Sequence, residues 1–246
     1  MTSQNLDTIF EQFNELNVLV VGDVMIDSYM WGEISRMSPE APVPIVAVTK
    51  KENRLGGAAN VSLNIQALGA NPILCSIIGS DHSGNEVLEL LKHQNLTHRG
   101  IIQDSSRPTT VKTRIIAEDK HQLRVDEEIE TDISSSLEDL LFNKICEILK
   151  SEKIDAIVFE DYNKGVLTKS IIEKVIQLGK SNNIPTIADP KTKNFLCYKN
   201  ITLFKPNLKE LKEGLSIEVD PTNKTSLVGG LKKLHHKIQF EMHSSH

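Results

Sequence analysis

Cysteine is scarce in this chain: Cys75, Cys146 and Cys197 are the three present, and they lie far apart among 246 residues. Such spacing gives neither a zinc site nor a disulfide framework, so a reducing compartment, the cytoplasm, is expected. Basic excess is missing too. A formal net charge of -5 argues against broad nucleic-acid binding or an anionic membrane surface as partner. No apolar run is long enough to cross a bilayer, and the N-terminal Met-Thr-Ser-Gln-Asn-Leu-Asp lacks the basic start of a secretory signal, so export is not expected. Neither Gly-x-x-x-x-Gly-Lys-Ser/Thr nor Gly-x-Gly-x-x-Gly follows the first apolar run, which leaves Walker-type nucleotide binding and the standard dinucleotide fingerprint unsupported. Internal repeats, low-complexity tracts and an obvious linker are absent as well.

What is present reads as an α/β protein with a doubly wound, mainly parallel sheet. Val18-Leu-Val-Val21 is a short apolar run stopping at Gly22-Asp23, the pattern of a buried strand, and Asp155–Phe159, Pro185–Ala188 and Ile201–Phe204 repeat the form. Helical patterns over Ser136–Lys150 and Thr168–Ser181 alternate with them. Ligands of such sheets gather at the carboxyl ends of the strands, where Asp23, Asp161, Asp189 and Asn207 fall. Val43–Thr49, Thr110–Glu118 and His121–Asp126 look like strands without crossover helices, and form a small β lid expected over about residues 28–50 and 105–128. Its entry, Ser38-Pro-Glu-Ala-Pro-Val-Pro44, suits an edge strand or loop. The chain is expected to be a single domain over 1–246, with the stretch after Ser216 hard to place and the end ragged.

The chemistry concentrates in a few places. Arg54-Leu-Gly-Gly-Ala-Ala-Asn60 pairs glycines with a helix start, where unpaired N–H groups and the Asn60 amide would meet an oxygen-rich ligand; tight helix packing is the plainer explanation. Within Gly22-Asp-Val-Met-Ile-Asp27, Asp27 is the candidate for binding sugar hydroxyls, against a turn-capping or solvated carboxylate. Asn207 and Glu210 read either as a helix cap or as oxygen donors organising water around Mg²⁺. Lys112, Arg114 and Arg124 share one face of the lid, where a phosphate fits as well as ordinary surface charge does. Lys164 and Lys191, beside Asp161 and Asp189, are ion pairs or phosphate ligands, and Arg107 is a weaker candidate.

Taken in order, Gly22–Asp27, Arg36–Pro44, Gly56–Asn60, Asp161-Tyr-Asn-Lys-Gly165, Asp189-Pro-Lys191 and Lys205-Pro-Asn-Leu-Lys-Glu210 resemble the ribokinase-like (PfkB) carbohydrate kinases, over about residues 10–215. Within that family the lid entry and Arg107–Arg114 are most similar to the kinases of D-glycero-β-D-manno-heptose 7-phosphate, which serve ADP-heptose and lipopolysaccharide synthesis. The resemblance implies transfer of the ATP γ-phosphoryl group, with Mg²⁺, to the anomeric hydroxyl. It places Asp27, Gly56, Gly57, Asn60, Lys112, Arg114, Arg124, Asp161 and Lys164 on the sugar phosphate. Asp189, Lys191, Asn207 and Glu210 fall to the nucleotide and phosphate end, the last two reaching the metal through water. It also implies a homodimer formed through the lid. Family members continue into a Gly-Ala-Gly-Asp segment carrying the general base, which is expected beyond His246. A truncated kinase, weak or inactive alone, is therefore the expectation, with another PfkB sugar kinase or a non-catalytic sugar-phosphate-binding module as alternatives.

Overall fold

A computed structural model describes residues 3–240, with side chains from residue 8 onward; the closing Glu241–His246, expected to be ragged, lie outside the described residues. In chain order the elements are α1 (Ser3–Phe13), β1 (Asn17–Gly22), β2 (Val24–Met37), β3 (Pro44–Gly57), α2 (Ala58–Ala67), β4 (Asn71–Gly79), α3 (His82–His93) and β5 (Gly100–Asp104). They continue with β6 (Thr110–Ala117), β7 (Lys120–Glu127), α4 (Ser135–Ser151), β8 (Ala156–Glu160), α5 (Lys169–Ser181) and β9 (Thr186–Asp189). A short 3₁₀ turn (Thr192–Asn194), β10 (Leu203–Phe204), α6 (Leu208–Leu215) and α7 (Lys224–Ile238) complete the chain.

Six strands form the main sheet in the order β10-β9-β8-β1-β4-β5, and every pairing in it is parallel. Leu19, Val20 and Val21 of β1 are wholly buried because helices cover both faces, as a parallel sheet requires. Leu137, Leu141, Ile145 and Ile148 of α4 and Ile171, Ile172, Val175 and Ile176 of α5 bury one side, while α2 and α3 bury the other through Ala58, Ala59, Val87 and Leu91. The strand order reverses at β1, which lies between β4 and β8, so the crevice beyond its carboxyl end is the place for a ligand.

The lid is a four-stranded mixed sheet, β3-β2-β6-β7. It is longer than the sequence implied. Only Asp23 separates β1 from β2, so Asp27, expected in a loop past the first strand, sits on a lid strand; β3 likewise runs from Pro44 to Gly57 rather than stopping at Thr49. The reason is register: β2 and β3 pair antiparallel from Val24↔Gly57 to Met37↔Pro44, and the bonded partner carries the strand through the charged stretch Lys50–Arg54 that pattern alone reads as loop. β3 is an edge strand, as its proline-bearing entry implies. The stretch after Ser216 forms α7, with Gly229 and Gly230 inside it and Asn223 capping its first turn. Among the described residues no helix is long and apolar enough to cross a membrane.

Candidate active site at the carboxyl edge of the sheet

Asp23 is the anchor of this edge. Its carboxylate is 1% exposed and accepts the backbone N–H groups of Tyr162 (2.8 Å), Lys164 (3.1 Å) and Val166 (3.1 Å). Burial raises its pKa, opposed by those three N–H groups and by the charge of Arg107. Arg107 is itself buried and donates to the Lys164 carbonyl, so the loop 161–166 is tied both to the end of β1 and to the segment entering β6. Asp161, assigned from sequence to the substrate, points inward instead. It accepts from Tyr198 (3.0 Å), Asn194 (3.3 Å) and the Asn163 N–H (2.8 Å), and burial pushes it up to about 6. Its side chain is a structural hub of the loop rather than an exposed ligand.

Asp27 lies against the glycine-rich turn. A Cβ at Gly56 would collide with its carboxylate, and Gly57, at φ 59, occupies the left-handed region where a Cβ would meet the Asp23 carbonyl. Glycine at both positions is thus fixed by close approach of β2, and Ala58 begins α2 with no side-chain cap. Asn60, in that first turn, is exposed. The region also holds the Tyr162 phenol. Burial raises its pKa, with the charge of Glu160 adding to the rise and that of Lys191 opposing it. The Lys191 ammonium is 5.6 Å from that ring's centre.

At the phosphate end Asn207 and Glu210 form a full capping box: the Asn207 side chain accepts the Glu210 N–H (2.9 Å) and Glu210 accepts the Asn207 N–H (2.8 Å). The second Glu210 oxygen takes Lys191 at 2.7 Å, and burial of Lys191, which lowers its pKa, is outweighed by that carboxylate. Asp189 pairs with Lys205 at 3.1 Å. No cluster of three or more His, Cys, Asp or Glu suited to a metal ion exists among the described residues. Glu210 is buried with both oxygens engaged, so it is not free to ligate a metal ion directly.

On the lid, Lys112, Arg114 and Arg124 do share a face: Asp27↔Lys112 and Arg114↔Arg124 are register partners. None of the three is free of acidic partners. Lys112 holds Asp126 (2.8 Å) and Glu128 (2.5 Å), Arg114 holds Asp27 (2.6 Å), and Arg124 holds Asp126 (2.9 Å). Lys164 reaches Glu128 (2.7 Å) and Glu130 (2.9 Å), so Glu128 bridges the lid and the core loop. Burial raises the Glu128 pKa, but the two lysines outweigh it and leave the group below the usual carboxylate range. Pattern reading missed Glu128, Glu130, Asp126 and Tyr162. Their opposite charge, or their place one residue past Asp161, was the available signal.

Glu160 was missed as well. Its neighbour in register is Asp189, and burial, followed by Asp189, pushes its pKa from 4.5 to about 7. The folded chain therefore holds this proton up to about pH 7, while an unfolded one releases it above 4.5; stability falls as pH rises between the two. Glu160→Gln should raise the melting midpoint by about 2–4 °C at pH 8, after allowance for partial solvent screening, and by clearly less at pH 5, as read by calorimetry at both pH values.

Residues 15–239 match the model of the pfkB family of carbohydrate kinases. The chain is 39% identical over 225 residues to the bifunctional protein HldE of Helicobacter pylori strain G27, covering 92% of this chain and 48% of that protein. It is 35% identical over 221 residues to HldE of Geobacter sulfurreducens, covering 89% and 44%. The chain thus spans just under half the length of these curated relatives. Among solved structures, the tetrameric inhibited form of phosphofructokinase-2 from Escherichia coli superposes with a TM-score of 0.69 at 16% identity, covering 92% of this chain and 71% of that one. Ribokinase of Arabidopsis thaliana, complexed with ribose and ATP, gives 0.62 at 15% identity, covering 90% and 69%. By sequence over nine-tenths of its length, and by architecture, the chain belongs to the pfkB family of carbohydrate kinases.

Proposed function

We propose that residues 1–246 carry the sugar-phosphate half of an ATP-dependent kinase acting on the anomeric hydroxyl of D-glycero-β-D-manno-heptose 7-phosphate. The observation that carries the reading is geometric: Asp27 packs on Gly56, the Asp23 carbonyl lies against Gly57, Asp23 also takes the Tyr162 N–H, and Lys191 lies over the Tyr162 ring. Identity to HldE proteins supports the heptose assignment over other sugars. Asp27 and Asn60 would accept and donate to ring hydroxyls, Gly57 would let the ring approach the backbone, and Lys112, Arg114, Arg124 and Lys164 would meet the 7-phosphate. Because those cations are already paired, the phosphate must displace carboxylates such as Asp126 or Glu128 from them. Lys191, Asp189, Asn207 and Glu210 would line the ATP phosphate end. When bound, Mg²⁺ held there through water would offset charge on the phosphoryl oxygens.

None of the residues assigned here acts as general base, so binding is the property to measure first. Titration calorimetry should show heptose 7-phosphate binding more tightly than fructose 6-phosphate or ribose, with Asn60→Ala weakening it about tenfold. Equal affinity across the sugars would turn the reading toward another PfkB kinase, and binding of sugar phosphate without ATP toward a binding module.

The same reading includes a homodimer through the lid. Its support is the exposure of apolar side chains on both edge strands of the lid, Val48 (54%) on β3 and Leu123 (57%) and Val125 (43%) on β7. Leu123→Glu with Val125→Lys should convert dimer to monomer in sedimentation without lowering sugar-phosphate affinity more than twofold, since Asp27 lies on the other face.

A further inference from the structure

We infer that Tyr29 and Trp31 form an aromatic subsite for the carbon skeleton of the substrate beyond the ring held by Asp27. The inference rests on the sugar-phosphate reading of the site and goes past it, because neither residue belongs to any motif that supports that reading. Side chains alternate along a strand, so Asp27, Tyr29 and Trp31 of β2 project from one face. The register adds Arg54, Glu52 and Lys50 of β3 beside them, and Lys112 and Arg114 of β6. The two rings stack with centres 5.6 Å apart and planes 17° from parallel. Cations hold them there: Arg54 and Arg114 lie 5.0 and 5.2 Å from the Tyr29 ring, and Lys50 lies 4.6 Å from that of Trp31.

This arrangement is not core packing. The opposite face of β2 carries the buried Ser28, whose register partner on β6 is the buried Thr113, while Tyr29 and Trp31 remain half-buried on the face that carries Asp27. Two aromatic rings fixed in orientation before a ligand arrives lose little freedom when it binds. At about 3.3 Å of rise per residue, Tyr29 stands about 7 Å and Trp31 about 13 Å along the strand from Asp27. A sugar whose reacting end lies at Asp27 and the glycine turn would therefore lay its exocyclic carbons beside Tyr29, with the phosphate they carry extending toward Trp31. The guanidinium of Arg114, which contacts both Asp27 and Tyr29, would stand beside its hydroxyl and phosphate oxygens. The chemical class selected is a phosphorylated sugar with carbons beyond the ring, in preference to a small unsubstituted pyranose or furanose.

Trp31 is the only tryptophan in the sequence, so intrinsic emission reports on this subsite alone. Heptose 7-phosphate added to the full 246-residue chain should change that emission along a curve matching the calorimetric affinity, whereas inorganic phosphate at equal concentration should not. Trp31→Ala should weaken heptose 7-phosphate about tenfold and ribose less than twofold, with Trp31→Phe retaining most of the affinity and unchanged circular dichroism in both variants. Tyr29→Ala, read through Trp31 emission, should shift the curve in the same direction. Calorimetric binding with emission unmoved and Trp31→Ala within twofold of the parent would overturn the subsite and leave the sugar-phosphate reading standing. Absence of heat with heptose 7-phosphate would remove both. Emission that depends on protein concentration without ligand, together with a change of sedimentation on Trp31→Ala, would overturn the subsite by making the rings a contact between copies.

Discussion

Asp23→Ala should lower the stability of the chain by about 3–5 kcal/mol, the largest effect expected of any single polar substitution here. The carboxylate accepts three backbone N–H groups in a buried setting, and alanine leaves all three without partners and removes the larger of the two acidic charges, Asp23 and Asp104, that support Arg107. Each orphaned donor costs about 1–3 kcal/mol, and the sum falls short of additive because the loop can partly relax. Asp23→Asn should be milder but still costly. Two of the donors meet one oxygen and the third meets the other, so an amide nitrogen must face an N–H wherever it points. Urea denaturation would show the midpoint falling with an unchanged slope, and hydrogen exchange should accelerate first at the amides of Tyr162, Lys164 and Val166. A midpoint within 1 kcal/mol of the parent would mean that loop 161–166 is held by something else.

Asp27→Ala should lower affinity for heptose 7-phosphate by about 10²-fold, or about 2.7 kcal/mol, while changing stability by less than about 1 kcal/mol. The contrast with Asp23 follows from exposure. Asp27 and Arg114 are each about a fifth exposed at the side chain, at 23% and 22%, so water can solvate the guanidinium once its partner is gone. A sugar hydroxyl inside a closed crevice has no such substitute, since the charged acceptor is lost where water is excluded. Asp27→Asn keeps an acceptor without the charge and should fall between the two. Equal loss of affinity and stability would show Asp27 to be a structural partner of Arg114 rather than a ligand group.

The two aspartates mark what can be read from sequence and what cannot. Strand ends after Val18–Val21 and Asp155–Phe159 are legible because a buried parallel strand must be apolar on both faces and must stop at a polar residue. The paired glycines are legible for a related reason, since no other residue tolerates the approach that Gly56 and Gly57 make to β2. Side-chain direction was not legible. Asp161 and Asp27 stand alike in the motifs, yet one is buried against Tyr198 and Asn194 while the other pairs with Arg114 on the lid, partly open to solvent. The lid was underread because Lys50–Arg54 is polar throughout; its strand comes from pairing with β2, whose partner residues lie 19 to 27 positions away in sequence. Charge neutralisation was equally hidden. Lys112, Lys164 and Lys191 were visible as cations, but Glu128, Glu130 and Glu210 reach them only after folding.

A crystal structure of this chain grown with heptose 7-phosphate tests the central claim most directly. The sugar is expected beyond β1, with hydroxyls on Asp27 and Asn60, the ring against Gly57, and at least one carboxylate displaced from Lys112 or Arg124. Sugar found elsewhere would contradict it, for instance in the cavity of about 280 Å³ at the opposite edge of the sheet between Lys180, Asn183, Thr186 and Thr202.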